Sequence, residues 1–343
     1  MEKNTPVLSL KNISVIFKKR KGLFSKPIEA GAVVNVSLDI DPGEVVAIVG
    51  ESGCGKTTMG RVISGLLKPT EGQIFFNGID ISKMNKKQYE EFRNGVQIVQ
   101  QDSYAALNPS RTIYQSLADP LINKKIAKNH AEAKKKIFEL LKLVEINPPE
   151  QFIEKYPHQL SGGQRQRILM ARAISLSPKL IVADEPISMI DVSLRIAILN
   201  LMANLNKKFG IAFAYITHDL ATARYIAQNG KIVVMYLGKL VEMGDVNKVI
   251  EEPKHPYLQA LLSAVPIPDP AIARQEKKLP LKSLDMPSIT NPPTGCRFNP
   301  RCIYATELCE KDEPILKQCG EEIVACHNVD SIPIWKLPRK SNK

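Results

Sequence analysis

The sequence predicts an α/β fold with a mostly helical insertion and a small cysteine-rich C-terminal extension. Three observations carry that reading. Short β-branched apolar runs alternate with helical patterns in the first half of the chain, the signature of a sheet with crossover helices. Between about residues 112 and 178 the pattern turns helical and more charged. Five of the six cysteines, Cys296, Cys302, Cys309, Cys319 and Cys326, cluster near the C-terminus.

Each element has its own signal. VVAIVG (45–50) is a compact apolar run ending in glycine, as a buried strand would be, and LIVAD (180–184) and IAFAYIT (211–217) read the same way. KIVVMYLGKLVEM (231–243) reads as two strands joined by a Leu-Gly turn. AEAKKKIFELLKLVEI is the clearest amphipathic helix of the insertion. After HPYLQALLSAVPIPDP (255–270) prolines become dense, at Pro266, Pro268, Pro270, Pro280, Pro287, Pro292 and Pro293, which reads as a linker-like segment. No internal repeat is evident.

Composition narrows the function classes. At 343 residues there is room for two domains. No apolar run is long enough to span a bilayer, and MEKNTPVLSLKNISVIFKKRK lacks the apolar core of a secretory signal. The expected compartment is therefore the cytosol, where structural disulfides are disfavoured. The net charge of +12 would suit nucleic acid or an anionic membrane surface. Its lysines are dispersed, however, with no basic stripe interleaved with aromatics, so a solvated basic surface is expected.

Two glycine turns carry chemistry. Gly50-Glu51-Ser52-Gly53-Cys54-Gly55-Lys56-Thr57 fits GxxxxGK[ST] and follows a predicted strand. Small residues there let backbone N–H groups wrap phosphate oxygens, and the following helix adds its positive end. Lys56 would reach the β and γ phosphates and the Thr57 hydroxyl would ligate Mg²⁺. Asp184 and Glu185 follow the apolar run at 180–183, so the first is placed to hold Mg²⁺ and the second to polarise an attacking water. The second turn, Leu160-Ser161-Gly162-Gly163-Gln164, opens the helical run QRQRILMARAIS, as a second anion-binding helix end or a plain serine cap would.

In this order (GESGCGKT, Gln101, LSGGQ, LIVADEP, Asp191, His218) the chain resembles the ATPase subunit of an ATP-binding cassette (ABC) transporter, over roughly residues 8–250. The resemblance implies a RecA-like core, an antiparallel β-subdomain and a helical subdomain at about 103–178, within an ATPase domain of residues 1–254. It implies ATP held by Gly50 to Thr58, with Phe17 stacking on adenine. Ser161, Gly162, Gly163 and Gln164 would close on the ATP of a partner subunit, and Asp191 would couple the two sites. Gln101 would sense Mg²⁺ and the membrane partner, and His218 would orient water and γ-phosphate. Departures occur at Met189 and Ile190, where Ala and Leu are commoner, at Gln100 for Phe and at Phe17 for Tyr.

KGLF, QDSYAALNPSRT and HPYLQALLSAVP are each similar to one branch of that family, the ATPases of oligopeptide and dipeptide importers with their nickel and oligosaccharide relatives. On this resemblance residues 255–343 form its C-terminal extension. Close cysteines in a cytosolic chain argue for thiolate ligation of metal, and the spacing lacks the CxxC pairs of zinc ribbons. Irregular spacing suits a [4Fe–4S] cluster, with zinc and unligated thiols as alternatives. The resemblance assigns Cys296, Cys302, Cys309 and Cys326 as ligands and leaves Cys319 spare; His327 is an alternative ligand, and Cys54 is a small residue of the phosphate loop. The implied partners are a second ATPase subunit (a paralogue more readily than a second copy), two permease subunits and, indirectly, an extracellular binding protein, at the cytoplasmic face of the membrane. Rival classes are a soluble cassette ATPase acting on ribosomes or nucleic acid, which carries two cassettes or a long coiled coil, and a non-hydrolysing subunit, which would lack Glu185 or His218. Nothing in the chain selects the transported substrate.

Overall fold

The computed structural model describes residues 5–20, 28–265 and 279–333. The KGLF stretch and the prolines at 266, 268 and 270 lie outside those residues. Within them, two sheets and a helical layer surround two apolar cores.

The smaller sheet is antiparallel. β1 (Leu8–Lys19), β2 (Ile28–Ile40), β4 (Glu71–Phe76) and β5 (Ile79–Asp80) lie in the order β2-β1-β4-β5. The β2 strand buries Val36, Leu38 and Ile40 and exposes the residues between them, the alternation expected when one face meets a core.

The larger sheet centres on parallel strands: β3 (Val45–Val49), β6 (Val96–Val99), β7 (Leu180–Asp184), β8 (Ala212–Thr217) and β9 (Lys231–Tyr236). β3, β7 and β8 are buried at every position. That is why they read as unbroken apolar runs: a parallel strand covered on both faces has no polar side to show. The β9 strand turns through Leu237 and Gly238 into antiparallel β10 (Lys239–Asp245), the two-strand unit read at 231–243.

The helical layer contains α3 (Ser103–Ala106), α4 (Ile113–Asn123), α5 (His130–Leu143) and α6 (Gly162–Ile174). Ile113, Leu117 and Leu121 of α4, with Ile137 and Leu141 of α5, are buried in the larger core. Their spacing of three and four residues is the amphipathic pattern made physical. Two further helices, α1 (Lys56–Ile63) and α7 (Val192–Phe209), flank the parallel strands.

The C-terminal extension is built into the larger sheet. After α10 (Pro256–Ala264) and α11 (Glu307–Lys311), a hairpin of β11 (Lys317–Cys319) and β12 (Glu322–Val324) pairs antiparallel with β10. The sheet order becomes β11-β12-β10-β9-β3-β8-β7-β6. Phe298 packs edge to face with Tyr236 and Tyr257, at centroid distances of 5.2 and 5.5 Å, and the two tyrosine rings lie tilted at 4.6 Å. The sequence division after residue 254 is therefore bridged by a shared sheet and a shared core.

Candidate functional site

The site lies at the carboxyl ends of the parallel strands, where open α/β sheets place their ligands. A cleft of about 660 Å³ opens there, large enough for a nucleotide-sized ligand. Its walls include residues 50–53 and 55–58 of the loop after β3, with Phe17, Gln101, Glu185 and His218.

The loop needs its glycines. Gly50, Gly53 and Gly55 have φ of 152°, 79° and 104°, values that L side chains rarely adopt. A Cβ on Gly55 would come within 2.0 Å of the Ala32 carbonyl oxygen, and one on Gly50 within 2.2 Å of the Met235 carbonyl oxygen. Gly55 caps α1 without a side-chain bond, so the helix presents bare N–H groups to the cleft. Lys56, 5% exposed, donates to the carbonyls of Gly50 at 2.8 Å and Glu51 at 2.9 Å.

The carboxylates come from the end of β7. The Thr57 hydroxyl donates to Asp184 Oδ1 at 3.2 Å, so the two expected Mg²⁺ ligands meet from different elements. Burial raises the Asp184 pKa, the bond from Thr57 lowers it and the neighbouring Glu185 charge raises it. Glu185 adopts φ of 44°, and its N–H donates to the Ile216 carbonyl at 2.9 Å. Its carboxylate is held from both sides. Gln101 Nε2 donates to Oε2 at 3.1 Å, and His218 Nδ1 lies 3.1 Å from Oε1. The three expected catalytic residues thus form one hydrogen-bonded group.

Ser161, Gly162, Gly163, Gln164 and Asp191 are not among the residues lining that cleft. Ser161 and Gln164 instead form a reciprocal capping box on α6, so the local geometry is that of the serine cap. Nearby, Met189, Val192 and Ile196 are 59%, 74% and 51% exposed, an apolar surface around Asp191.

The tail cysteines fall in two places. Cys296, Cys302, Cys309 and Cys326 line one cavity with His255, Phe298 and His327. Cys319 lies apart on β11, where its carbonyl accepts a bond from Lys254. Burial pushes the Cys296 thiol up to about 11 and the Cys326 thiol up to about 12, and the other cysteines of the group add to both shifts. The His327 ring donates from Nε2 to the Asp312 carbonyl at 2.9 Å. Among the described residues no group of three or more His, Cys, Asp or Glu is arranged to hold a metal ion. The buried sixth thiol, Cys54, packs under the phosphate loop.

Four site neighbours carry no local signal in the sequence. Leu261 and Ile289 line the nucleotide cleft, Tyr257 accepts a bond from the Glu51 N–H at 2.7 Å, and Arg301 pairs with Glu51. Tyr257 and Leu261 do sit inside the HPYLQALLSAVP stretch, and Arg301 inside GCRFNPRC, but nothing in either pattern points to the phosphate loop.

A phosphate loop, a strand-end carboxylate pair and a separate capped glycine turn define a P-loop ATPase of the cassette class. Residues 33–188 match the ABC transporter family, and residues 241–309 match the oligopeptide/dipeptide transporter C-terminal region. The chain is 40% identical over 332 residues to the dipeptide transport ATP-binding protein DppF of Haemophilus influenzae, covering 96% of this chain and 99% of that one. It is 41% identical to the oligopeptide transport ATP-binding protein AppF of Bacillus subtilis, covering 94% and 97%. Its fold is similar to the dimeric ATP-binding cassette MJ0796 bound to ADP and Pi, with TM-score 0.60 and 32% identity over 70% of this chain and 98% of that one. The chain belongs to the ABC transporter family, as an ATP-binding subunit of the branch that carries the oligopeptide/dipeptide transporter C-terminal region.

Proposed function

We propose that this chain hydrolyses ATP at the cytoplasmic face of the membrane to drive an importer of di- and oligopeptides. The observation that carries the proposal is the Glu185 carboxylate, held between Gln101 and His218 beside the phosphate loop. Glu185 polarises the attacking water, and His218 fixes the carboxylate and the γ-phosphate. Lys56 and the loop N–H groups take the phosphate charge, and Phe17 stacks on adenine. Thr57, Asp184 and Gln101 would hold Mg²⁺, which neutralises phosphate charge when bound. The peptide substrate is the one named for the relatives.

The position of Ser161–Gln164 outside their own chain's cleft supports a dimer in which each signature turn completes the other subunit's site. The exposed apolar surface around Asp191 supports the same arrangement. A paralogous ATPase is the proposed partner, with two permease subunits contacted near Gln101. The convergence of Cys296, Cys302, Cys309 and Cys326 on one cavity supports a [4Fe–4S] cluster with a structural role. Four thiols, two buried and two half-buried, are a fitting donor set, since a cluster would hold them as thiolates. A zinc ion on the same thiols is the alternative occupant.

The test is ATP hydrolysis by the assembled transporter in vesicles, with binding protein loaded in turn with dipeptide, oligopeptide, nickel or oligosaccharide. Stimulation by peptide alone is expected. Stimulation only by nickel or sugar would overturn the peptide assignment and leave the ATPase standing.

A further inference from the structure

Glu51 sets an electrostatic problem. It is the second residue of the phosphate loop and lines the nucleotide cleft, where a carboxylate would oppose the negative charge of bound phosphates. The solution comes from 250 positions away. Arg301 Nη1 donates to Glu51 Oε2 at 2.7 Å, and Nη2 donates to Oε1 at 3.0 Å. This is the two-point fork that only guanidinium supplies.

The fork is built rather than incidental. The Arg301 side chain is 5% exposed, its Nε donates to the Ser283 carbonyl at 3.4 Å, and its guanidinium lies 5.8 Å from the Tyr236 and Phe298 ring centres. The pairing with Glu51 raises its pKa above the ordinary arginine value. A second contact fixes the same residue, because the Glu51 N–H donates to the Tyr257 hydroxyl. Both contacts come from the C-terminal extension, and Ile289 of that extension also walls the cleft.

We propose that Arg301 is a positioning residue for ATP binding: it neutralises Glu51 and holds the first half of the phosphate loop in its phosphate-accepting shape. The cysteine-rich extension is then a working wall of the ATP site. This rests on the assignment of the cleft as the ATP site.

The experiment compares Arg301→Gln, Arg301→Lys, Glu51→Gln and the Arg301→Gln/Glu51→Gln double variant in the assembled transporter, reading kcat and KM for Mg-ATP. Arg301→Gln leaves Glu51 charged and unpaired, so KM for ATP is expected to rise at least about tenfold, with a smaller change in kcat. Removing the carboxylate as well should bring KM back to within about threefold of Glu51→Gln alone. Arg301→Lys keeps the charge and loses the fork, and should fall between wild type and Arg301→Gln. A double variant with KM as high as Arg301→Gln would overturn the proposal, as would a folded Arg301→Gln protein with wild-type KM. Should Arg301→Gln fail to fold, the double and lysine variants decide by the same criterion. Absence of ATPase activity in the wild-type complex would instead refute the ATP-site assignment itself.

Discussion

Glu185 and His218 stand 3.1 Å apart across the ends of neighbouring strands β7 and β8. Neither strand alone places the pair; the parallel register, with Asp184 opposite Ile216, does. Because Gln101 holds the other carboxylate oxygen, Glu185→Gln keeps the shape and removes the base. Its ATPase rate is expected to fall about 10²- to 10⁴-fold with ATP binding retained. Single-turnover kinetics and dimer formation with ATP check this; an unchanged rate would move the water-activating role elsewhere.

Gly55→Ala should abolish nucleotide binding. The left-handed backbone alone costs about 1–2 kcal/mol for an L side chain, and the added carbon would press on the Ala32 carbonyl at 2.0 Å. Relief requires the loop to shift away from β2. Equilibrium binding of a fluorescent ATP analogue measures the loss, and wild-type affinity would refute the strain argument.

The cysteine assignment separates by mutation. Cys302→Ser or Cys326→Ser is expected to remove most iron and acid-labile sulfide from anaerobically purified protein, while Cys319→Ser leaves both unchanged. Cys319 lies outside the shared cavity. Equal loss from Cys319→Ser would contradict the four-ligand set, and an iron-free wild type would remove the cluster altogether.

Glu242 predicts a pH dependence. Burial raises its pKa to about 8, the N–H groups of Lys254 and His255 work against the shift, and the neighbouring Glu322 charge adds to it. The unfolded chain ionises this carboxyl near 4.5 and the folded chain near 8. Between those values the folded state binds the extra proton, so this contribution to stability is full below about 4.5 and is lost as pH rises toward 8. The slope is at most about 1.4 kcal/mol per pH unit. Thermal unfolding from pH 5 to 8 should flatten in Glu242→Gln relative to wild type, and parallel curves would show that Glu242 does not titrate there.

Much of the ATP site is legible from local chemistry. The phosphate loop is a contiguous strand, glycine turn and helix, so its residues specify their own geometry. Ser161 and Gln164 are three apart, the spacing of a capping box, so the turn's own residues supply its hydrogen bonds. The buried strands β3, β7 and β8 announce themselves because burial on both faces requires continuous apolar sequence. The extension is less legible, since its hairpin joins the sheet through two three-residue strands, β12 pairing with β10 and β11 with β12, which carry no pattern of their own.

By itself, then, the sequence determined the chemistry available: a glycine-rich phosphate-loop motif, a carboxylate pair at the end of a buried strand, a helix-capping glycine turn and a set of clustered thiols. These depend on neighbours within a turn or two of chain. The tertiary structure decided which groups act together. Gln101, Glu185 and His218 meet only because β6, β7 and β8 lie side by side. Glu51 finds Arg301 and Tyr257 only because the extension folds back over the phosphate loop. Such contacts are fixed by sheet order and core packing, and no local spacing encodes a partner 250 residues away.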